Sequence, residues 1–179
     1  LAVGDLLGIA VALGPGGFSS LRVGLSVAKG LAATAAVPVV GVRTLVLEAQ
    51  PYFETGLPVC AMVDAGRSEV ATALFGPGGI PNGEERICPP DELLDSIAES
   101  TVFCGEGVVP WASLIKERLG SQALVLDSPN PGSRLWSLAF LGRERIESGD
   151  TDDPVELEPN YIRMPSIGEA KRRDRRPQR

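Results

Sequence analysis

Histidine occurs nowhere among the 179 residues. Its absence removes Ser-His-Asp and Cys-His nucleophile pairs, histidine general bases and every zinc site that needs an imidazole. Cysteine is scarce. Cys60, Cys88 and Cys104 are odd in number and show no C-x-x-C spacing, which reads as reduced thiols in a cytoplasmic protein, with no disulfide framework and no metal site. No apolar stretch reaches the ~18 to 20 residues that a membrane span needs, and the apolar opening segment contains Asp5 and lacks a basic n-region. The expectation is a soluble cytoplasmic protein without a membrane partner. The chain begins at Leu1, directly before a predicted strand, and so reads as a fragment, a processed chain or a translation from an unusual start codon.

What is present is the composition of a folded chain: 44% hydrophobic and 22% charged residues, with a mean hydropathy of +0.10. The length suits one domain or two small ones. The net charge of −6 is unevenly spread. Residues 170–179 (AKRRDRRPQR) carry six basic side chains and one acidic, which leaves −11 on residues 1–169. An acidic body repels nucleic acid, so any RNA would be met only indirectly, through a partner, or through the basic tail, whose simplest reading is a solvated disordered end.

Residues 9–13 (IAVAL) form an apolar run closed by Gly14-Pro15-Gly16-Gly17, the pattern of a buried strand and its turn. A helix is predicted from Ser19 or Ser20 as N-cap to about Ala36, followed by a strand at 39–42 and a helix at 43–50. Residues 59–63 and 69–75 read as two strands of a hairpin, and 76–90 as an irregular loop. Helices at 91–99, 110–119 and 132–148 then alternate with strands at 102–104 and 123–126, and 157–164 reads as extended. This rhythm predicts an α/β fold with a largely parallel sheet covered by helices.

The helix at 20–36 is the most informative segment. At 100° per residue, Val23, Val27 and Leu31 share one face and Gly24, Ala28, Ala32 and Ala35 a neighbouring one, with a narrow polar stripe of Arg22, Ser26 and Lys29. The bulky face is expected on the chain's own sheet. The small face would then let another helix approach, either an internal neighbour or a partner. The Gly14–Gly17 turn could offer backbone N–H groups to an anion, but it fits neither the P-loop nor the dinucleotide fingerprint, and Pro15 lacks one donor. Asp64 and Glu69, with Arg67 between them, are weak candidates for a metal or acid/base pair against the commoner reading of a polar hairpin tip. Trp111 and Trp136 are expected in the core.

The run from Val11 to Ala32 (VALGPGGFSSLRVGLSVAKGLA) closely resembles the GPGSFTGLRIG…AKGLA signature of the TsaB (YeaZ) family. Residues 61–70 (AMVDAGRSEV) resemble the family's A-x-[IV]-D-A-R-x-G-E-V segment, and 159–163 (PNYIR) its closing P-x-Y-L-R. Gly17, Ser19, Ser20 and Gly66 depart from the usual Ser, Thr, Gly and Arg. The resemblance implies an actin-like ATPase (ribonuclease H-like) superfold, here N-terminally incomplete. Residues 1–57 would be the remnant of the first lobe, 58–165 the second lobe and 166–179 a basic tail.

Functionally, the resemblance implies a non-catalytic subunit in the synthesis of threonylcarbamoyladenosine on tRNA. Such a subunit would bind a TsaD-like catalytic partner as a heterodimer and could self-associate as a homodimer. Gly24, Ala28, Ala32 and Ala35 would form the partner interface, and Gly14, Pro15, Gly16, Phe18 and Arg22 the family-motif loop. No cofactor is expected, ATP being bound by the partner. The family's catalytic sisters carry paired His metal ligands, which this chain cannot supply. Two other readings are an active ATPase or phosphotransferase using the Gly14–Gly17 turn, and a degenerate fragment without function.

Overall fold

The computed structural model describes residues 5–126, 130 and 132–162. Arg163 and the basic run at 170–179 lie outside the described residues. Two sheets organise the chain. The first is the parallel pair β1 (Ile9–Gly14) and β2 (Val39–Arg43), joined by helix α1 (Phe18–Ala35). Helix α2 (Thr44–Ala49) and a 3-10 stretch (Gln50–Thr55) lead to the second sheet. That sheet runs β5 (Arg86–Cys88), β4 (Glu69–Phe75), β3 (Val59–Gly66), β6 (Thr101–Cys104), β7 (Ala123–Val125), with α3 (Pro90–Asp95) and α4 (Ala112–Leu119) in its connections. It is mixed rather than largely parallel, because β3–β4 and β4–β5 are antiparallel. The cause is the short turn after Asp64, where Arg67 and Ser68 both take positive φ and fold the chain straight back.

The helices follow the sequence pattern, with shifted ends. Helix α1 starts at Phe18 with Gly17 as N-cap and no side-chain cap, and ends at Ala36 in the left-handed region. Its buried side chains are Leu25, Ala28 and Ala32, which pack on Val11, Val39 and Leu157. The sheet therefore meets small residues, and the expected orientation is reversed. Short links at both ends, Gly14–Gly17 and 36–38, lay the helix close over its sheet. Alanines fit that gap, and the bulky Val23, Val27 and Leu31 are left outside.

Helix α5 (Ser133–Glu147) covers the opposite face of the first sheet. A Cβ on Gly142 would overlap the Cβ of Ala10, so glycine is what permits this contact. Helix α5 and Asp152 thus lie against the first sheet, although a boundary at 57/58 drawn from sequence order groups them with the second. Trp136 faces outward on α5 at 78% exposure, contrary to the expectation of a core position, while Trp111 packs half-buried on the second sheet's core. Cys60, Cys88 and Cys104 are free and buried, and burial pushes the Cys60 thiol up to about 12. Among the described residues, no helix is long and apolar enough to cross a membrane.

Gly24 and Ala28 look equivalent on a helical wheel, but the fold separates them. A Cβ on Gly24 meets nothing within 4 Å, whereas Ala28 is 5% exposed. Gly24→Ala is expected to stabilise by about 0.5 to 1 kcal/mol, and Ala28→Leu to cost about 1 to 3 kcal/mol through overpacking. Urea unfolding of the two variants checks both; equal shifts would contradict the packing of α1.

Candidate functional site

The exposed face of α1 is a ridge of Val23, Val27 and Leu31, at 64%, 55% and 40% exposure, continued by Phe18 in the first turn. Gly24 and Gly30 lie on the exposed side of the helix, where an added Cβ would find open space. Neighbouring exposed apolar side chains on a surface helix make this face a candidate contact surface. Of the four small residues expected to face a partner, Gly24 is exposed and Ala35 half-buried, whereas Ala28 and Ala32 are turned onto β1 and β2. The wheel put Gly24 on one face with Ala28 and Ala32, which the fold places apart, and it could not say which face the sheet would take.

The motif loop and the hairpin, 50 residues apart in sequence, meet in space. A cavity of about 250 Å³ is lined by Pro15, Gly16, Gly17 and Phe18 on one side and by Asp64 and Ala65 on the other. Gly14 has φ 107°, and a Cβ there would stand 2.8 Å from Leu21 Cδ1 and 3.0 Å from the carbonyl oxygen of Asn160, so the loop needs glycine at this point. Asp64 Oδ1 accepts the Gly66 N–H at 2.9 Å, the bond of a turn. A carboxylate in the wall, together with the donor that Pro15 lacks, makes this cavity a poor seat for phosphate. Glu69 sits half-buried at the start of β4. Among the described residues no group of three His, Cys, Asp or Glu side chains could hold a metal ion.

Arg22 is more than the solvated stripe residue its spacing suggests. Its guanidinium lies 4.4 Å over the Phe18 ring, and its Nε donates to the Tyr161 hydroxyl at 3.0 Å. Tyr161 also packs on Phe18 with ring centroids 5.2 Å apart. One residue earlier, the Asn160 backbone N–H donates to the Leu13 carbonyl at 2.7 Å, and its side-chain Nδ2 donates to Glu85 Oε2 at 2.6 Å. Residues 157–162 therefore form a strap between α1 and the loop before β5. Sequence reading missed Glu85 and Asn160; the only signal was the resemblance of residues 159–163 to a family motif.

Glu85 stands in a second cavity, of about 450 Å³, with Arg43 and Asn160. Its side chain is 11% exposed, and burial raises its pKa, an effect that the Asn160 hydrogen bond and the Arg43 charge oppose. A carboxyl group with a raised native pKa binds its proton more tightly folded than unfolded. Its stabilising contribution is thus present in acid and lost as pH rises through the native value. Glu85→Gln keeps an acceptor for Asn160 and removes the buried charge. It should therefore raise Tm at pH 7, with the gain over wild type disappearing near pH 4, as read from thermal melts at both values; a loss at pH 7 would show that the Arg43 pairing outweighs the burial.

The comparisons with known proteins agree with this geometry. The family model for TsaD, tRNA N6-adenosine threonylcarbamoyltransferase, matches residues 1–108. The tRNA threonylcarbamoyladenosine biosynthesis protein TsaB of Bacillus subtilis (strain 168) is 30% identical over 174 residues, which cover 92% of this chain and 72% of that protein. TsaB of Escherichia coli (strain K12) is 34% identical over 122 residues, 63% of this chain and 53% of its own length. A crystal structure from Pseudomonas aeruginosa, described as an uncharacterized protein with similarity to peptidase YeaZ, superposes with a TM-score of 0.69 at 25% identity, covering 91% of this chain and 76% of that one. By family model, relatives and fold together, the chain belongs to the TsaB (YeaZ) family of tRNA threonylcarbamoyladenosine biosynthesis proteins, with an actin-like, ribonuclease H-like α/β fold.

Proposed function

We propose that this chain is a non-catalytic cytoplasmic subunit of the threonylcarbamoyladenosine machinery, binding and supporting a TsaD-like catalytic subunit through the outward face of α1. The observation that carries the proposal is the Val23, Val27, Leu31 ridge with Gly24 and Gly30 beside it. Covering such a ridge with a partner helix releases water from apolar area, and the glycines leave room for the partner's backbone. The same face can serve a second copy of the chain, so self-association and heterodimer formation compete for it. Transfer chemistry and ATP belong to the partner. This chain has no histidine for a nucleophile pair, and the carboxylate-bearing Asp64 lines its motif-loop cavity.

Val23→Asp and Val27→Asp put a charge on the ridge at positions already open to solvent, so both variants should keep the parent Tm. Each should lose about 2 kcal/mol or more of affinity for the purified TsaD-like subunit of the same organism, the scale of an interface hot spot and roughly a 30-fold weakening. Ile80→Asp, exposed on the loop after β4, is the control and should bind normally. Unchanged affinity in both ridge variants, measured by titration calorimetry, would overturn the α1 interface. The purified chain alone should neither hydrolyse ATP nor transfer threonylcarbamoyl to tRNA, and turnover surviving rigorous repurification would overturn the non-catalytic reading.

A further inference from the structure

The residues that hold α1 down are few and small. Ala28 and Ala32 supply two of its three buried side chains, and the apolar area of an alanine is slight, so packing on the sheet fixes this helix only weakly. A second hold comes from the strap. Leu157 is buried against Leu25, Ala28 and Ala32, Lys29 Nζ donates to the Val155 carbonyl at 3.5 Å, and Tyr161 takes the Arg22 hydrogen bond while stacking on Phe18. The strap itself is anchored on the other side of the molecule. Asn160 donates to Glu85, which precedes β5 of the second sheet, and Ile162 packs on the cluster of Val59, Ala61 and Val63. The two cavities on either side of it share Asn160 and Ile162 as wall residues, so this short segment spans the space between the sheets.

From this series of contacts we propose that Glu85, Asn160 and Tyr161 are positioning residues for the α1 face: they clamp the first turns of α1 to the second sheet and thereby set the ridge in the orientation a partner meets. The proposal deepens the interface reading and rests on it for the binding arm of its test. Glu85 makes its hydrogen bond to Asn160 on the strap and an ion pair to Arg43 at the end of β2, and the strap is the route to α1 that the paired variants of Glu85 and Asn160 isolate. Residues acting in series have a recognisable signature, since breaking the chain at one link leaves nothing for a second break to remove.

The test uses the full chain, amide hydrogen exchange over residues 21–27 and affinity for the TsaD-like subunit. Glu85→Ala and Asn160→Ala should each speed exchange in that segment at least 3-fold and weaken binding about 3- to 10-fold. The double variant should be no worse than either single one. Glu85→Gln, which can still accept the Asn160 hydrogen bond, should restore both readings, and Tyr161→Phe, which keeps the ring but loses the acceptor, should reproduce the loss. Faster exchange confined to residues 81–88 in Glu85→Ala, or additive effects in the double variant, would overturn the clamp. Should Glu85→Ala fail to fold, Tyr161→Phe and Glu85→Gln decide the matter: unchanged exchange over 21–27 in Tyr161→Phe sinks the proposal. If Val23→Asp binds normally, the interface reading has failed and the exchange measurements alone judge the clamp.

Discussion

A sheet of two parallel strands cannot stand alone in water, and the rest of this molecule follows from how β1 and β2 are closed in. Helices α1 and α5 cover the two faces, and each comes close only because small residues meet it. Ala28 and Ala32 do this under α1, and Gly142 does it under α5, over Ala10 and Val40. Within the sheet, Gly41 leaves the space that Leu13 occupies; a Cβ there would sit 2.7 Å from Leu13 Cδ1. The outer edge of β2 is closed by polar groups. Asp152 Oδ2 accepts the Gly41 N–H at 2.7 Å, its own N–H donates to the Val39 carbonyl at 3.0 Å, and Arg145 donates to the Gly41 carbonyl at 2.9 Å. Backbone groups that would otherwise be buried without partners are thereby satisfied.

This constraint decides what α1 shows to the outside. A helix that turns its alanines inward must present its remaining side chains to solvent, and here those include valine and leucine. The exposed face of α1 is therefore the complement of the close helix–sheet contact, and the residues that occupy it here, Val23, Val27 and Leu31, are apolar. It also explains why the molecule needs the strap, since a helix held chiefly through Leu25 and two alanines gains little from burial. The buried Leu157 and the Phe18, Arg22, Tyr161 group supply the additional hold at the helix's exposed N-terminal end.

Most strands, the tight hairpin and the motif loop were legible in the sequence because each is a local pattern: apolar runs for β1 and β3, turn residues around Asp64 and Gly66, and glycines before α1; the short β5 was not, since it lies in the Gly- and Pro-rich stretch 76–90 read as an irregular loop. The direction in which α1 faces was not. Its two candidate faces are both apolar, so periodicity finds them but cannot rank them, and the short connections that do rank them are a matter of three-dimensional geometry. The return of α5 to the first sheet was hidden for a related reason, because sequence order says nothing about contacts as distant as that of Arg145 with Gly41, 104 residues apart. Trp136 shows the same limit, as an aromatic side chain in a helix with a buried side need not lie on that side. The link from Asn160 to Glu85 joins two residue types that are ordinary on surfaces, and only the fold makes one of them a half-buried anchor.

The charge distribution separates two tasks that an RNA-pathway subunit could otherwise confuse. With −11 on residues 1–169, the body opposes direct contact with a polyanion at every distance where screening is incomplete. The α1 ridge carries almost no charge of its own, and the cation nearest its start, Arg22, is already engaged by Phe18 and Tyr161. On the proposed reading, affinity for a protein partner through that ridge would come from apolar burial, which salt does not weaken, while the acidic surroundings would act on the rate of encounter and on the exclusion of free RNA. Recognition and discrimination would then rest on different physical terms, and a change in one would leave the other in place.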